Sequence, residues 1–154
     1  MKNIVVLVSG GGTNLQALID AEKRGEIKGG KISCVISSKE GAYALERAAN
    51  AGIPSVTLPR KNYADSKAYS EAILDELKKQ RADLIILAGF MTILDKCVTE
   101  AYPYQIINVH PALIPSFCGE GYYGLKVHEK ALEYGVKVSG ATIHFVNEQA
   151  DAGA

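Results

Sequence analysis

Three cysteines, Cys34, Cys97 and Cys118, are too few and too widely spaced in 154 residues to form a disulfide scaffold, and no C-x-x-C pair suggests a zinc site. Reduced thiols in a cytoplasmic protein are the expectation. An excess of one charge is also missing, since 17 basic residues cancel 17 acidic ones. General affinity for nucleic acid or for a membrane surface is therefore not expected, although a local anion pocket stays open. No apolar run approaches the length of a membrane span, and Ser9 with three glycines interrupts the N-terminal run before a signal-peptide core can form. Internal repeats, linkers and low-complexity segments are absent as well. What is present is a 47% hydrophobic composition. That suits one globular domain over residues 1–154, burying about two thirds of its unfolded surface.

Taken in order, Ile4 to Val8 is a continuous apolar run of the kind a central parallel strand needs when both its faces are covered. Ser9-Gly10-Gly11-Gly12-Thr13-Asn14 follows, then Leu15, Leu18 and Ile19 at helical spacing through about Arg24. Glycines let the backbone turn sharply and approach a ligand, and the free N–H groups of a helix start favour an anion. Thr13 or Asn14 could cap that helix or donate to a phosphate. The turn is neither G-x-G-x-x-G nor a P-loop, so a plain tight turn remains the alternative. Ile32–Ile36 reads as a second strand ended by Ser37-Ser38, Ala42–Ala51 as a helix stopped by Gly52, and Pro54–Leu58 as a short third strand. Asp65 or Ser66 can cap a long helix through Gln80, with Ala68, Ile73, Leu74 and Leu77 as its core face. Lys67 opposes the helix dipole there, as a solvated lysine or as a partner of an anionic ligand.

Asp83–Ala88 is another strand, and Gly89-Phe90-Met91-Thr92-Ile93-Leu94 places apolar residues beyond its carboxyl end, either as core or as one wall of a pocket. Ile106-Ile107 leads into Asn108-Val109-His110-Pro111, where proline ends the ladder. Asn108 and His110 alternate onto one face, setting an amide beside an imidazole that titrates near neutrality. A capping Asn with a buried, hydrogen-bonded His is the plain alternative. A loop dense in proline and glycine spans Ala112 to Gly124, and its glycines suggest mobility or a lid. Val127–Tyr134 is a helix ended by Gly135, Val138–Val146 a strand, and Asn147–Gly153 a polar loop. Strand–helix alternation predicts an α/β fold: an open, mostly parallel, doubly wound sheet of Rossmann-like kind. Its crossovers bring the glycine turn, Gly89–Leu94 and Asn108–Pro111 to the carboxyl edge where ligands bind.

In this order and spacing the sequence resembles glycinamide ribonucleotide formyltransferase across essentially its whole length. The resemblance is carried by Val8–Leu15, by Leu87–Leu94, by Asn108–Pro111 with Leu113 and Pro115, and by Ile143–Val146 followed by Asp151 and Gly153. It implies a single formyltransferase domain, without the strand and helix with which family members continue. It also implies formyl transfer from 10-formyltetrahydrofolate, as co-substrate, to the amine of glycinamide ribonucleotide, in de novo purine synthesis. By the same match Gly12, Thr13 and Asn14 hold the ribonucleotide phosphate. Lys67, Met91, Thr92, Ile93, Leu94 and Asn108, with Asn147, Glu148, Gln149, Ala150 and Asp151, hold the folate. Asn108, His110 and Asp151 are catalytic, the partners are small molecules, and a homodimer is the assembly left open.

That chemistry suits those residue types. A neutral amine attacking a formyl carbon gives a tetrahedral intermediate with negative charge on oxygen, to which Asn108 and a protonated His110 can donate. A nearby carboxylate favours the charged imidazole, and Asp151 can also relay a proton through water to the leaving folate nitrogen. No metal is expected, because none of His110, His128 and His144 stand at ligand spacing. His144 is expected inside a strand, ordering its neighbours, and His128 at the surface. Thr92 departs from the family where a basic residue is common, and Cys118 with Glu120–Gly124 lengthens the loop after Phe117. Two rivals share the fold: methionyl-tRNA formyltransferase, which adds a basic domain, and formyltetrahydrofolate hydrolase, which adds a domain ahead of the first strand. A nicotinamide-dependent oxidoreductase wants an acidic residue where Ser37-Ser38 stands. A non-catalytic nucleotide-binding module is the remaining alternative.

Overall fold

The N-terminal apolar run becomes the centre of the sheet. In a computed structural model, which describes residues 1–147 and 153–154, β1 (Lys2–Val8) lies parallel to and between β2 (Gly30–Ser37) and β4 (Leu84–Leu87). β3 (Ser55–Thr57) extends the sheet beyond β2, and β5 (Ile106–His110) extends it beyond β4. β6 (Thr142–Phe145) pairs antiparallel with β5 at the far edge, giving the order β3-β2-β1-β4-β5-β6. The sheet is thus open and mostly parallel, as the strand–helix alternation predicts.

Alternation along β1 divides the core into two layers. Ile4, Val6 and Val8 meet Leu15 and Ile19 of α1 (Thr13–Lys23) and Ala44 and Ala48 of α2 (Tyr43–Asn50). Val5 and Leu7 meet Tyr69, Ile73 and Leu77 of α3 (Ser66–Lys79) and Val98 of α4 (Lys96–Ala101). Cys34 is buried in this second layer. Burial, with repulsion from Glu76 behind it, pushes its thiol up to about 11, so it stays protonated near neutrality. A single 3₁₀ turn (Arg60–Asn62) precedes α3, and α5 (Leu125–Tyr134) connects the long loop to β6.

Several local expectations need correction. Neither Thr13 nor Asn14 caps α1: the cap position is Gly12, in the left-handed region at φ 74°, with no side-chain hydrogen bond. Asp65, rather than Ser66, caps α3, its carboxylate accepting from the Ala68 N–H at 2.7 Å. On the core face of α3 Tyr69, whose hydroxyl donates to the Leu58 carbonyl, is fully buried together with Ile73 and Leu77, while Ala68 and Leu74 are only half-buried. α4 has no counterpart in the sequence pattern, because six residues are too few to display a helical period. β6 begins at Thr142 rather than Val138, since its pairing with β5 ends at His110, one residue before Pro111. Among the described residues, no helix is long and apolar enough to cross a membrane.

Candidate functional site

The chain leaves β1 toward β2 on one side and returns to β4 on the other, so the sheet's direction of winding reverses between β1 and β4. A crevice opens at such a switch point, beyond the carboxyl ends of the strands. Three segments line that edge: the glycine turn after β1, the Gly89–Leu94 stretch after β4, and the end of β5.

The glycine turn is braced from behind. Ala44 N–H donates to the Gly10 carbonyl at 3.1 Å, and Arg47 Nε donates to the Gly11 carbonyl at 2.7 Å. Arg47 Nη1 reaches Gln16 Oε1 at 3.2 Å, and its guanidinium lies 4.8 Å from the centroid of the Tyr43 ring. A Cβ on Gly12 would fall 2.6 Å from the Ala44 Cβ and 2.8 Å from its Cα. Gly12 therefore needs both its positive φ and its missing side chain. On the other side a Cβ on Gly10 or Gly11 would meet nothing within 4 Å, and Thr13 and Asn14 are exposed at the start of α1. With no side-chain cap, the first N–H groups of α1 are left for an anion. Sequence pattern pointed to the turn but missed Arg47, which reads as one polar residue in an alanine-rich helix.

Opposite the turn, Met91 and Ile93 are exposed and Thr92 is half-buried, whereas Leu94 is buried in the layer beneath. The stretch is therefore both wall and core: Met91 and Ile93 are open to solvent, and Leu94 packs into the layer beneath. Met91 N–H donates to Ser9 Oγ at 2.9 Å, and Ser9 Oγ shares a 2.5 Å hydrogen bond with Ser38 Oγ. Ser66 Oγ donates to Asp95 Oδ1 at 2.5 Å, which ties the first turn of α3 to the end of this stretch. Lys67, the next residue, is exposed there.

Asn108 lies opposite Leu87 on β4 and His144 on β6. It is half-buried, and among the described residues its amide caps nothing. His110 is 3% exposed, and its Nε2 lies 2.7 Å from the Phe117 carbonyl. A carbonyl can only accept, so Nε2 carries a proton and, in the neutral ring, Nδ1 is the acceptor. Phe117 has φ 49°, a strained value for a residue with a side chain, and it holds this contact from within the long loop. Thr142, across the ladder from His110, donates to the Ala112 carbonyl at 2.7 Å and accepts from Ile114 N–H at 3.0 Å. One hydroxyl thus pins the chain just after the imidazole, a role that sequence spacing did not reveal.

His144 is buried in β6, its Nδ1 3.2 Å from the Phe145 carbonyl, and His128 is exposed on α5. Asn147 is half-buried just past β6. Glu148, Gln149, Ala150 and Asp151 lie outside the described residues. Among the described residues no three His, Cys, Asp or Glu side chains gather as metal ligands would.

Comparison with known proteins agrees with this architecture. The profile of the "Formyl transferase" family matches residues 2–154. Phosphoribosylglycinamide formyltransferase of Haemophilus influenzae is 46% identical over 154 residues, covering all of this chain and 70% of that protein. The trifunctional purine biosynthetic protein adenosine-3 of Chironomus tentans is 44% identical over 99% of this chain, which spans only 11% of that protein. The crystal structure of glycinamide ribonucleotide transformylase 1 from Symbiobacterium toebii superposes with a TM-score of 0.90 at 40% identity, covering 98% of this chain and 68% of that one.

Proposed function

The chain belongs to the formyl transferase family, and within it to the phosphoribosylglycinamide formyltransferases; from that premise we propose that it transfers the formyl group of 10-formyltetrahydrofolate to the amine of glycinamide ribonucleotide. The reaction then serves purine biosynthesis in the cytoplasm, with two small molecules as the only partners it requires. What carries the reading is one juxtaposition. An open glycine turn with unclaimed helix N–H groups, an outward-facing Met91–Ile93 wall, and Asn108 with His110 all stand on the carboxyl edge around one switch point.

The ribonucleotide phosphate lies on the N–H groups of Gly12, Thr13 and Asn14, where the dipole of α1 adds to the attraction. The flat folate ring packs against Met91 and Ile93, with Thr92, the backbone of Leu94, and Asn147 to Asp151 completing its surroundings and Lys67 at its margin. Attack of the amine nitrogen on the formyl carbon makes the C–N bond and moves the carbonyl electron pair onto oxygen. Asn108 donates its amide N–H to that oxygen. His110 Nε2–H donates as well, once the oxygen replaces the Phe117 carbonyl as its acceptor; the strained φ of Phe117 lowers the cost of that exchange. Asp151 supports the protonated imidazole and, through water, takes the amine proton to the leaving folate nitrogen, whose bond to carbon then breaks.

The test is formyl transfer measured on this chain, on His110→Ala and on Asn108→Ala. His110→Ala should lower kcat by about 10²–10⁴-fold, and Asn108→Ala by about 10²–10³-fold, with both ligands still bound. Rates unchanged in both variants would sink the assignment.

A further inference from the structure

We propose that the two buried serines Ser9 and Ser70 are positioning residues that set the Met91–Leu94 wall. The inference rests on the reading above, in which that wall receives the folate. Between the end of β4 and the start of α4 the chain has no regular structure, so no ladder or helix fixes its course. Among the described residues, two side-chain hydroxyls accept from backbone N–H groups of Met91 to Asp95, beside the Val98 N–H bond to the Asp95 carbonyl at 3.0 Å and the Ser66 bond to the Asp95 carboxylate. Met91 N–H donates to Ser9 Oγ at 2.9 Å, and Asp95 N–H donates to Ser70 Oγ at 2.9 Å. The acceptors come from different elements, both ahead of the wall in sequence: Ser9 follows β1, and Ser70 lies in α3.

Ser9 is 2% exposed and Ser70 is 0% exposed, so neither hydroxyl is offered to a ligand. Their effect passes through the backbone they hold. The bond to Ser38, itself 3% exposed, keeps the Ser9 hydroxyl from turning away from Met91. Leu94, buried between the two ties, fixes the depth of the wall, and the serines fix its ends. The glycines of the turn have their own supports, Ala44 N–H on the Gly10 carbonyl and Arg47 on the Gly11 carbonyl; Ser70 stands apart from that turn, whereas Ser9 directly precedes it, so Ser70 gives the cleaner separation. Loss of a tie should therefore fall on one substrate and spare the other. A residue needed only for folding would affect both alike.

The experiment is calorimetric titration of this chain and its variants with 10-formyltetrahydrofolate and, separately, with glycinamide ribonucleotide. Ser9→Ala and Ser70→Ala should each weaken folate binding about tenfold, equivalent to about 1.4 kcal/mol, while nucleotide affinity changes less than about twofold. Ser38→Ala, which leaves both acceptors in place, should weaken folate binding less than either. Equal losses for both ligands, or none for folate, would overturn the inference and leave the functional reading intact. An unmutated chain that binds nucleotide but no folate would overturn the functional reading, and the inference with it. Should Ser9→Ala fail to fold, Ser70→Ala decides the matter from the other end of the wall.

Discussion

The chain up to His110 and the chain after it are built differently. In the first part Val5, Val6, Leu7, Val35, Ile36, Ile73, Ile85 and Ile106 have no measurable exposure, and two helix layers close over the sheet. After Pro111, among the described residues, only Ala112, Val127, Ala131 and His144 are buried, while Leu125, Leu132, Tyr134 and Val138 stand 76–83% exposed. That second part is held by polar ties instead: Thr142 to Ala112 and Ile114, and His110 to Phe117. The difference separates two jobs. Apolar burial fixes the carboxyl edge of the sheet, and a more lightly held segment supplies the Phe117 carbonyl that, in the proposed mechanism, gives way to substrate.

The contrast can be broken by mutation. Ile85→Ala, in β4 between Val5 and Ile106 of the neighbouring strands, should cost about 2–5 kcal/mol of global stability, read from urea unfolding. A loss under about 1 kcal/mol would mean that the first part is not the scaffold. Thr142→Val keeps the shape and removes the hydroxyl, leaving the Ile114 N–H without its acceptor. About 1–3 kcal/mol should go, with Ile114 exchanging its amide hydrogen faster while Ile85 stays protected. If both amides speed up together, the two parts unfold as one unit and the comparison fails.

Legibility in the sequence follows the same divide. Continuous apolar runs and helical spacing exposed β1, β2, β4, α1 and α3, because those elements are buried deeply enough to show their period. The candidate site was readable where a residue type is itself the signal, as with the glycines of the turn and the Asn108–His110 pair. Partners distant in sequence were not: Ser9 read as the start of the glycine turn, and nothing local linked it to Met91, 82 positions away. Arg47 and Thr142 escaped for the same reason, since each acts on a carbonyl 30 or more residues distant. Phe117 was hidden differently, because its reach to His110 depends on a left-handed backbone that its side chain disfavours.

The smallest expected effect sharpens the comparison most. Leu132 is on the outer side of α5 and 83% exposed, so its side chain leaves little water-free surface to lose. Leu132→Ala should shift the unfolding free energy by less than about 0.5 kcal/mol, because alanine also has the higher helix propensity. The same change at Ile85 removes a side chain surrounded on all sides and should cost several times more. Both values come from one urea titration series, with a circular-dichroism signal that follows all helices together. A cost above about 1 kcal/mol at Leu132 would mean that the outer face of α5 is covered in solution. The light packing after Pro111 would then describe an interface, and the division between scaffold and loosely held segment would have to be redrawn around it.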